Sequence, residues 1–159
     1  MSGGRELGRA LLAFVALPGV VAFAAPLLLA WLDPKARGFE PLALIPLVGG
    51  VFLLLWCVRD FYVSGKGTLA PWAPPRNLVV VGLYRWSRNP MYVAVLLVLL
   101  GFAIAFRSRQ LLGYALVVGV AFHLRVVFGE EPWLARTHGE AWQRYRERVP
   151  RWLIGRRRE

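Results

Sequence analysis

Four stretches almost free of charge set the terms for this chain. Residues 10–32 form a run of 23 without a charged side chain, and residues 41–58 form a second run of 18. Residues 89–106 are likewise uncharged, and residues 111–128 carry a single arginine, Arg125, beside His123. A helix rises 1.5 Å per residue, so each run is long enough for the ~30 Å apolar core of a bilayer or close to it. The expected fold is all-α: a polytopic membrane bundle of four transmembrane helices, closed by a C-terminal amphipathic helix at the cytoplasmic interface. At 159 residues, residues 1–159 read as one integral membrane domain.

Charge is segregated from these runs. The chain is 57% hydrophobic and yet carries a formal net charge of +11. Of its 20 Lys and Arg residues, 15 fall in the N-terminal tail, in residues 59–88 and in the C-terminal tail. Four (Lys35, Arg37, Arg107, Arg109) fall in the two short links. The positive-inside rule then puts both termini and the long connection in the cytoplasm. An inner (plasma) membrane of bacterial type is the expected location. Nucleic-acid binding is the other reading of so basic a chain; the arginines flank the apolar runs and form no soluble face, so no nucleic-acid partner is expected. Anionic lipid headgroups at the basic rim are. A signal peptide ending near Ala22-Phe23-Ala24 competes for the first run, but the apolar stretch continues to Leu32. Pro18 and Pro26 should bend that helix, and Gly49-Gly50 should let the second approach a neighbour closely.

The lone cysteine, Cys57, permits no internal disulfide and reads as a small buried hydrophobe. Cys and His spacings match no metal pattern, so no metal site is expected. Between residues 59 and 88, Ser64-Gly65-Lys66-Gly67-Thr68 reads as a flexible turn and Pro71-Trp72-Ala73-Pro74-Pro75 as a stiff extended piece.

The octet Arg85-Trp86-Ser87-Arg88-Asn89-Pro90-Met91-Tyr92 launches the third run. Asparagine is a good N-cap and proline is tolerated at the first helical position, so the helix should start here. Its free N–H groups, with Arg85 and Arg88, suit an anionic group. Arg107-Ser108-Arg109-Gln110 is too short for anything but an antiparallel hairpin. The fourth helix must therefore return to the octet's rim, bringing Glu130 and Glu131 beside Asn89, Pro90 and Tyr92. Pro132 should end or kink that helix. His123 falls on one helical face with Val127 and Glu131 and is a pocket candidate or a helix–helix hydrogen bond. Arg125 either snorkels to the interface or serves the site. An anion-binding helix start facing two carboxylates suits a zwitterion, and S-adenosylmethionine is one.

The octet in its setting, Gly82-Leu83-Tyr84-Arg85-Trp86-Ser87-Arg88-Asn89-Pro90-Met91-Tyr92, followed after one hairpin by Glu130-Glu131-Pro132, resembles the isoprenylcysteine carboxyl methyltransferase and phospholipid methyltransferase families of integral membrane enzymes. Gly139-Glu140-x-x-x-x-Tyr145 and Val149-Pro150-Arg151 resemble the C-terminal signature of the first family. Many relatives have His at the position of Asn89, whereas Asn-Pro-Met-Tyr is similar to the phosphatidylethanolamine N-methyltransferase form. The resemblance covers residues 64–153. It implies a cytoplasmic S-adenosylmethionine pocket contacted by Arg88, Asn89, Pro90, Tyr92, His123, Glu130 and Glu131. Tyr145, Arg148 and Arg151 are the implied lid residues. It implies a lipidic or small apolar acceptor entering from the bilayer, with Glu130, His123 and Asn89 the candidate catalytic groups.

Trp142, Tyr145, Val149 and Trp152 recur at three- to four-residue spacing among arginines. That is an amphipathic helix, either a lid or a membrane anchor; Arg156-Arg157-Arg158 reads as a lipid-attracted tail. Two rival functions remain open at this stage. One is a membrane reductase using NADPH on a sterol-reductase-like core. The other is a non-catalytic lipid-binding protein, which leaves the meeting of Glu130-Glu131 with Asn89-Pro90 unexplained.

Overall fold

The computed structural model describes residues 15–36, 38–65 and 77–152, and all regular structure among them is helical. Lys66 to Arg76, with the proline-rich piece, and the arginines at 156–158 lie outside the described residues.

Val15–Ala24 is π-helical and continues into α1 (Ala25–Leu32). The bend expected from proline is taken up as a wider helical turn, because a proline cannot donate to the carbonyl four residues back. A short 3₁₀ turn, Pro41–Ala43, leads into α2 (Leu44–Gly65). This helix outruns the uncharged stretch by two turns: Arg59 lies exposed at the rim, while Asp60 is turned inward and buried. After α2 the described chain resumes at residue 77 with an irregular stretch and a 3₁₀ turn, Gly82–Arg85, and then α3 (Pro90–Ala105) begins at the expected proline. α4 (Arg109–Arg125) follows a reversal tighter than the expected four-residue link. Arg107 adopts φ +49, and Ser108 caps α4 by accepting a hydrogen bond from the Leu111 N–H at 3.3 Å.

Pro132 does not end the returning helix. The chain passes from α4 through one π-helical turn, Val126–Glu130, into α5 (Glu131–Arg148). There the Glu131 N–H donates to Val126 O, five residues back. Widening the turn moves the carbonyl that the Pro132 ring would strike, so the helix absorbs the proline. The break falls at Gly139, where φ +48 and ψ −120 are open to glycine.

The core lies where α2, α3 and α4 meet: Leu54, Ala94, Val95, Val98, Leu99 and Val118, with Ala22 from the first helical segment. α2 and α3 are drawn together by glycine on both sides. A Cβ on Gly50 would stand 2.9 Å from Val98 N, and one on Gly101 would stand 2.6 Å from Leu47 Cγ. The expectation for the Gly49-Gly50 pair holds at Gly50; Gly49 faces open space. A second apolar cluster of Cys57, Val79 and Tyr84, with Met91 against it, sits beneath the octet, and Cys57 is fully buried as expected.

At the far rim, Asp33 takes the Ser108 hydroxyl, Glu40 pairs with Arg107, and the Glu40 N–H donates to Ala105 O at 3.1 Å. The outward faces of α2 and α4 are apolar, with Ile45 74%, Leu116 66% and Phe128 76% exposed. Water makes such a belt costly and lipid does not. Among the described residues, two helices are long and apolar enough to cross a membrane, Pro41–Phe61 and Arg109–Arg148; the apolar helices Gly19–Leu32 and Pro90–Ala105 are shorter. Of the four expected spans, those at 41–58 and 111–128 fall in the two long helices and the one at 89–106 in a shorter one; the start of the first, residues 10–14, lies outside the described residues.

Candidate active site

The start of α3 and the end of α4 come to one rim, as the hairpin requires. The Arg88 guanidinium reaches Glu131 at 2.8 Å, and the Tyr92 hydroxyl donates to Glu130 Oε1. Arg125 joins from α4, its Nε donating to Glu130 Oε1 at 2.8 Å and to the Tyr92 oxygen at 3.2 Å. Of the two readings of Arg125, the structure favours service to this cluster. Glu130 Oε1 takes both bonds, and its Oε2 has no partner among the described residues.

A third piece of chain completes the cluster. Residues 149–152 fold back from α5 as a strap across the octet. Pro150 O accepts the Arg88 N–H at 2.9 Å, and Arg151 O accepts from the Asn89 side-chain amide at 3.0 Å. The Ser87 hydroxyl lies 2.9 Å from Trp152 O and 3.3 Å from Arg151 O, and accepts the Asn89 N–H at 3.2 Å. Arg151 grips Glu131 with two parallel bonds of 2.8 Å each, the fork geometry that makes Arg–carboxylate pairs strong. The Trp152 indole donates to His123 Nδ1 at 3.2 Å and its ring stacks on the imidazole.

Burial and charge act against each other here. Arg88 and Glu131 keep only 9% and 13% of their side-chain surface exposed. Burial pulls the Arg88 guanidinium below its ordinary value, with the Glu131 charge opposing it. Burial would raise the Glu131 carboxyl, but the Arg151 hydrogen bonds and the Arg88 charge hold it below the usual carboxylate range. Arg88 also lies 5.4 Å from the Trp142 ring centroid, a cation–π contact, while its Nε has no hydrogen-bond partner among the described residues.

Several sequence expectations need correction. Asn89 begins the helix but does not cap it: its φ of −130 and ψ of 50 turn the side chain to the strap. An amide engaged as a donor offers no base. His123 is exposed and makes no helix–helix bond; because its Nδ1 accepts from Trp152, the neutral ring carries its proton on Nε2. The π-helical turn also breaks the simple register that put His123 and Glu131 on one face. Arg85 is exposed, and Arg148 is exposed without a hydrogen bond among the described residues. Tyr145 does not reach the carboxylates; its hydroxyl donates to Tyr84 O at 2.7 Å and props the end of α5 against the octet. Pro90 is buried at the helix start. The apolar side of the C-terminal helix, Trp142 at 2% exposure and Val149 at 7%, packs on protein.

Ser87 was missed by sequence reasoning. It is buried and ties octet to strap, and its only signal was a small polar residue between aromatic and basic neighbours. Gly82 was quoted only as part of a motif. Its φ is +55, and a Cβ there would fall 1.8 Å from the buried Asp60 Oδ2. We expect Gly82→Ala to cost about 1–3 kcal/mol from backbone strain plus overlap, read by denaturant unfolding in detergent. Adding Asp60→Ala should recover the overlap and leave the strain.

Helices long enough to cross a bilayer, apolar on their outward faces, with a polar cluster gathered at one end, are those of a membrane protein. The chain belongs to the phospholipid methyltransferase family, whose family model matches residues 42–141. Membership makes it a membrane methyltransferase by class. Arg88, Tyr92, Glu130 and Glu131 fall inside the match and the strap lies beyond it. No curated protein and no solved structure gave a significant match.

Proposed function

We propose that the chain is a four-span membrane methyltransferase that binds S-adenosylmethionine at the cytoplasmic rim and methylates a lipid entering from the bilayer. The observation that carries this is the closure of Arg88 on Glu131 and of Tyr92 on Glu130, which joins the two ends of one helix hairpin. The donor set fits the group: donors at the start of α3 for a carboxylate, two glutamates for an ammonium and ribose hydroxyls, and Tyr92, Phe122 and Trp152 as a nearby aromatic wall. When bound, S-adenosylmethionine supplies a methyl group already activated on a sulfonium. The protein's part is then alignment and exclusion of water. Arg88 and Glu131 would orient the donor's charged end, and Glu130 keeps one oxygen, Oε2, without a partner among the described residues. An isoprenylcysteine-like carboxylate or a phospholipid amine would suit the apolar approach. The family favours the amine, whose ammonium must first lose a proton, and Glu130 is the group to take it. The basic rim supports a cytoplasmic placement of both termini, with arginines such as Arg144 and Arg148 on anionic headgroups.

Calorimetry with S-adenosylhomocysteine on the detergent-purified chain tests this. Glu130→Ala should weaken binding about tenfold, the equivalent of ~1.4 kcal/mol, and should abolish methyl transfer to phosphatidylethanolamine in mixed micelles. Equal affinity in both proteins would remove Glu130 from the donor site. Binding of NADPH in place of S-adenosylhomocysteine would replace the methyltransferase reading with a reductase.

A further inference from the structure

We propose that the strap residues Pro150, Arg151 and Trp152 are a built-in competitor for the amino-acid end of the methyl donor. The inference rests on the methyltransferase reading above and adds to it a gate on the same site. Its basis is a match of chemistry. Glu131, the more buried of the two glutamates, has both oxygens bound to the Arg151 guanidinium, and Arg88 shares one of them. The donors at the start of α3 are likewise engaged: the Arg88 N–H by Pro150 O, and the Asn89 amide by Arg151 O. The strap therefore presents one cation to the carboxylate and carbonyl oxygens to the N–H groups. An α-amino acid offers the same pair, an ammonium and a carboxylate, to the same partners. Both sets cannot be satisfied at once, because each buried donor and acceptor takes few partners.

The part that must move is small. Trp142 and Val149 are buried, and Tyr145 is bonded to Tyr84 O, so the end of α5 is fastened independently of Arg151. Val149 is already extended, at φ −119 and ψ 126, and beyond it the strap is held by hydrogen bonds, the ion pair and the stacking of Trp152. Displacing Pro150 to Trp152 leaves the Trp142 contact to Arg88 in place. Trp152 would leave His123 and Tyr92 in the same movement, opening the aromatic wall to the nucleoside. Ligand affinity is lowered by the fraction of molecules whose strap is closed.

Two measurements on the full chain test the gate. In the first, S-adenosylhomocysteine binding is compared in the unmodified protein, Arg151→Gln and Arg151→Lys. The Gln variant should bind about tenfold tighter, as expected if roughly a tenth of the unmodified molecules are open. Arg151→Lys should fall between the two. In the second, hydrogen exchange of the peptide covering residues 149–152 should speed up when S-adenosylhomocysteine is added to the unmodified protein. Slower exchange together with weaker binding to Arg151→Gln would overturn the competitor and make the strap a clamp on the ligand. No binding of S-adenosylhomocysteine to any of the three would overturn the methyltransferase reading itself, and the gate with it.

Discussion

Glu131→Gln should loosen the whole rim. The glutamine keeps the shape and one acceptor oxygen, but it removes the charge that balances Arg88 and Arg151. Arg88 is nearly buried, and its Nε already lacks a partner among the described residues. Removing one member of a buried pair costs about 3–5 kcal/mol, because the other charge stays desolvated. The cation–π contact to Trp142 remains and offsets part of this. The comparison is Glu130→Gln. Its partner Arg125 is 44% exposed and Glu130 itself 33%, and ion pairs that open to solvent contribute roughly 0–1 kcal/mol. Denaturant unfolding of both variants in the same detergent should separate them clearly. A Glu131 variant as stable as the Glu130 one would mean that water reaches Arg88.

The same pair sets a direction with pH. The Glu131 carboxyl titrates below its ordinary value in the folded protein, so the unfolded chain binds the proton more readily. Its contribution is fully present above the ordinary carboxylate range and is lost as pH falls through the lower, folded value. Acid should therefore weaken the strap and the rim together, and Glu131→Gln should flatten that dependence.

How much of this was legible beforehand depends on distance along the chain. Helix starts and hairpins are local matters. Pro90 as the first residue of α3, the reversal around Ser108 and the meeting of residues 88–92 with 130–131 all follow from runs of apolar residues and the shortness of one link. The resemblance carried by the Asn-Pro-Met-Tyr and Glu-Glu-Pro motifs led to the family that the comparison shows. Failures came where tertiary contacts decided. Asn89 looked like a cap because the sequence does not reveal that its side-chain amide is turned to Arg151 O in the strap. Pro132 looked like an end or a kink because a π-helical turn, which costs little when it lets a proline continue a helix, leaves no mark in residue spacing. In its spacing the strap was visible only as an amphipathic pattern, while the resemblance singled out Val149-Pro150-Arg151 and made Arg151 a lid residue. That pattern serves lipid or protein equally well, and only the burial of Trp142 and Val149 separates them.

Gly50 offers the most demanding test of the helix packing that holds the rim in place, because its neighbour supplies the control. Both Gly49 and Gly50 lie mid-helix in α2, so alanine brings the same gain in helix propensity to each, about 0.5–1 kcal/mol. At Gly49 a Cβ meets nothing within 4 Å. At Gly50 it would lie 2.8 Å from Val98 Cγ2, 2.9 Å from Val98 N and 3.0 Å from Ala94 O. Two of those atoms are backbone, so no rotamer change relieves the overlap and α3 itself must shift. Overpacking of this kind costs roughly 1–3 kcal/mol. We expect Gly49→Ala to be neutral or slightly stabilising in detergent unfolding and Gly50→Ala to be destabilised. Because α3 carries Pro90 and Tyr92 on its first turn, a shift that begins at Ala94 and Val98 is felt at Glu130. Gly50→Ala should therefore lose methyl transfer more than its loss of stability accounts for, and Gly49→Ala should lose none. If the two variants behave alike, α2 and α3 do not approach one another as closely as the structure has them, and the rim is positioned by the strap instead.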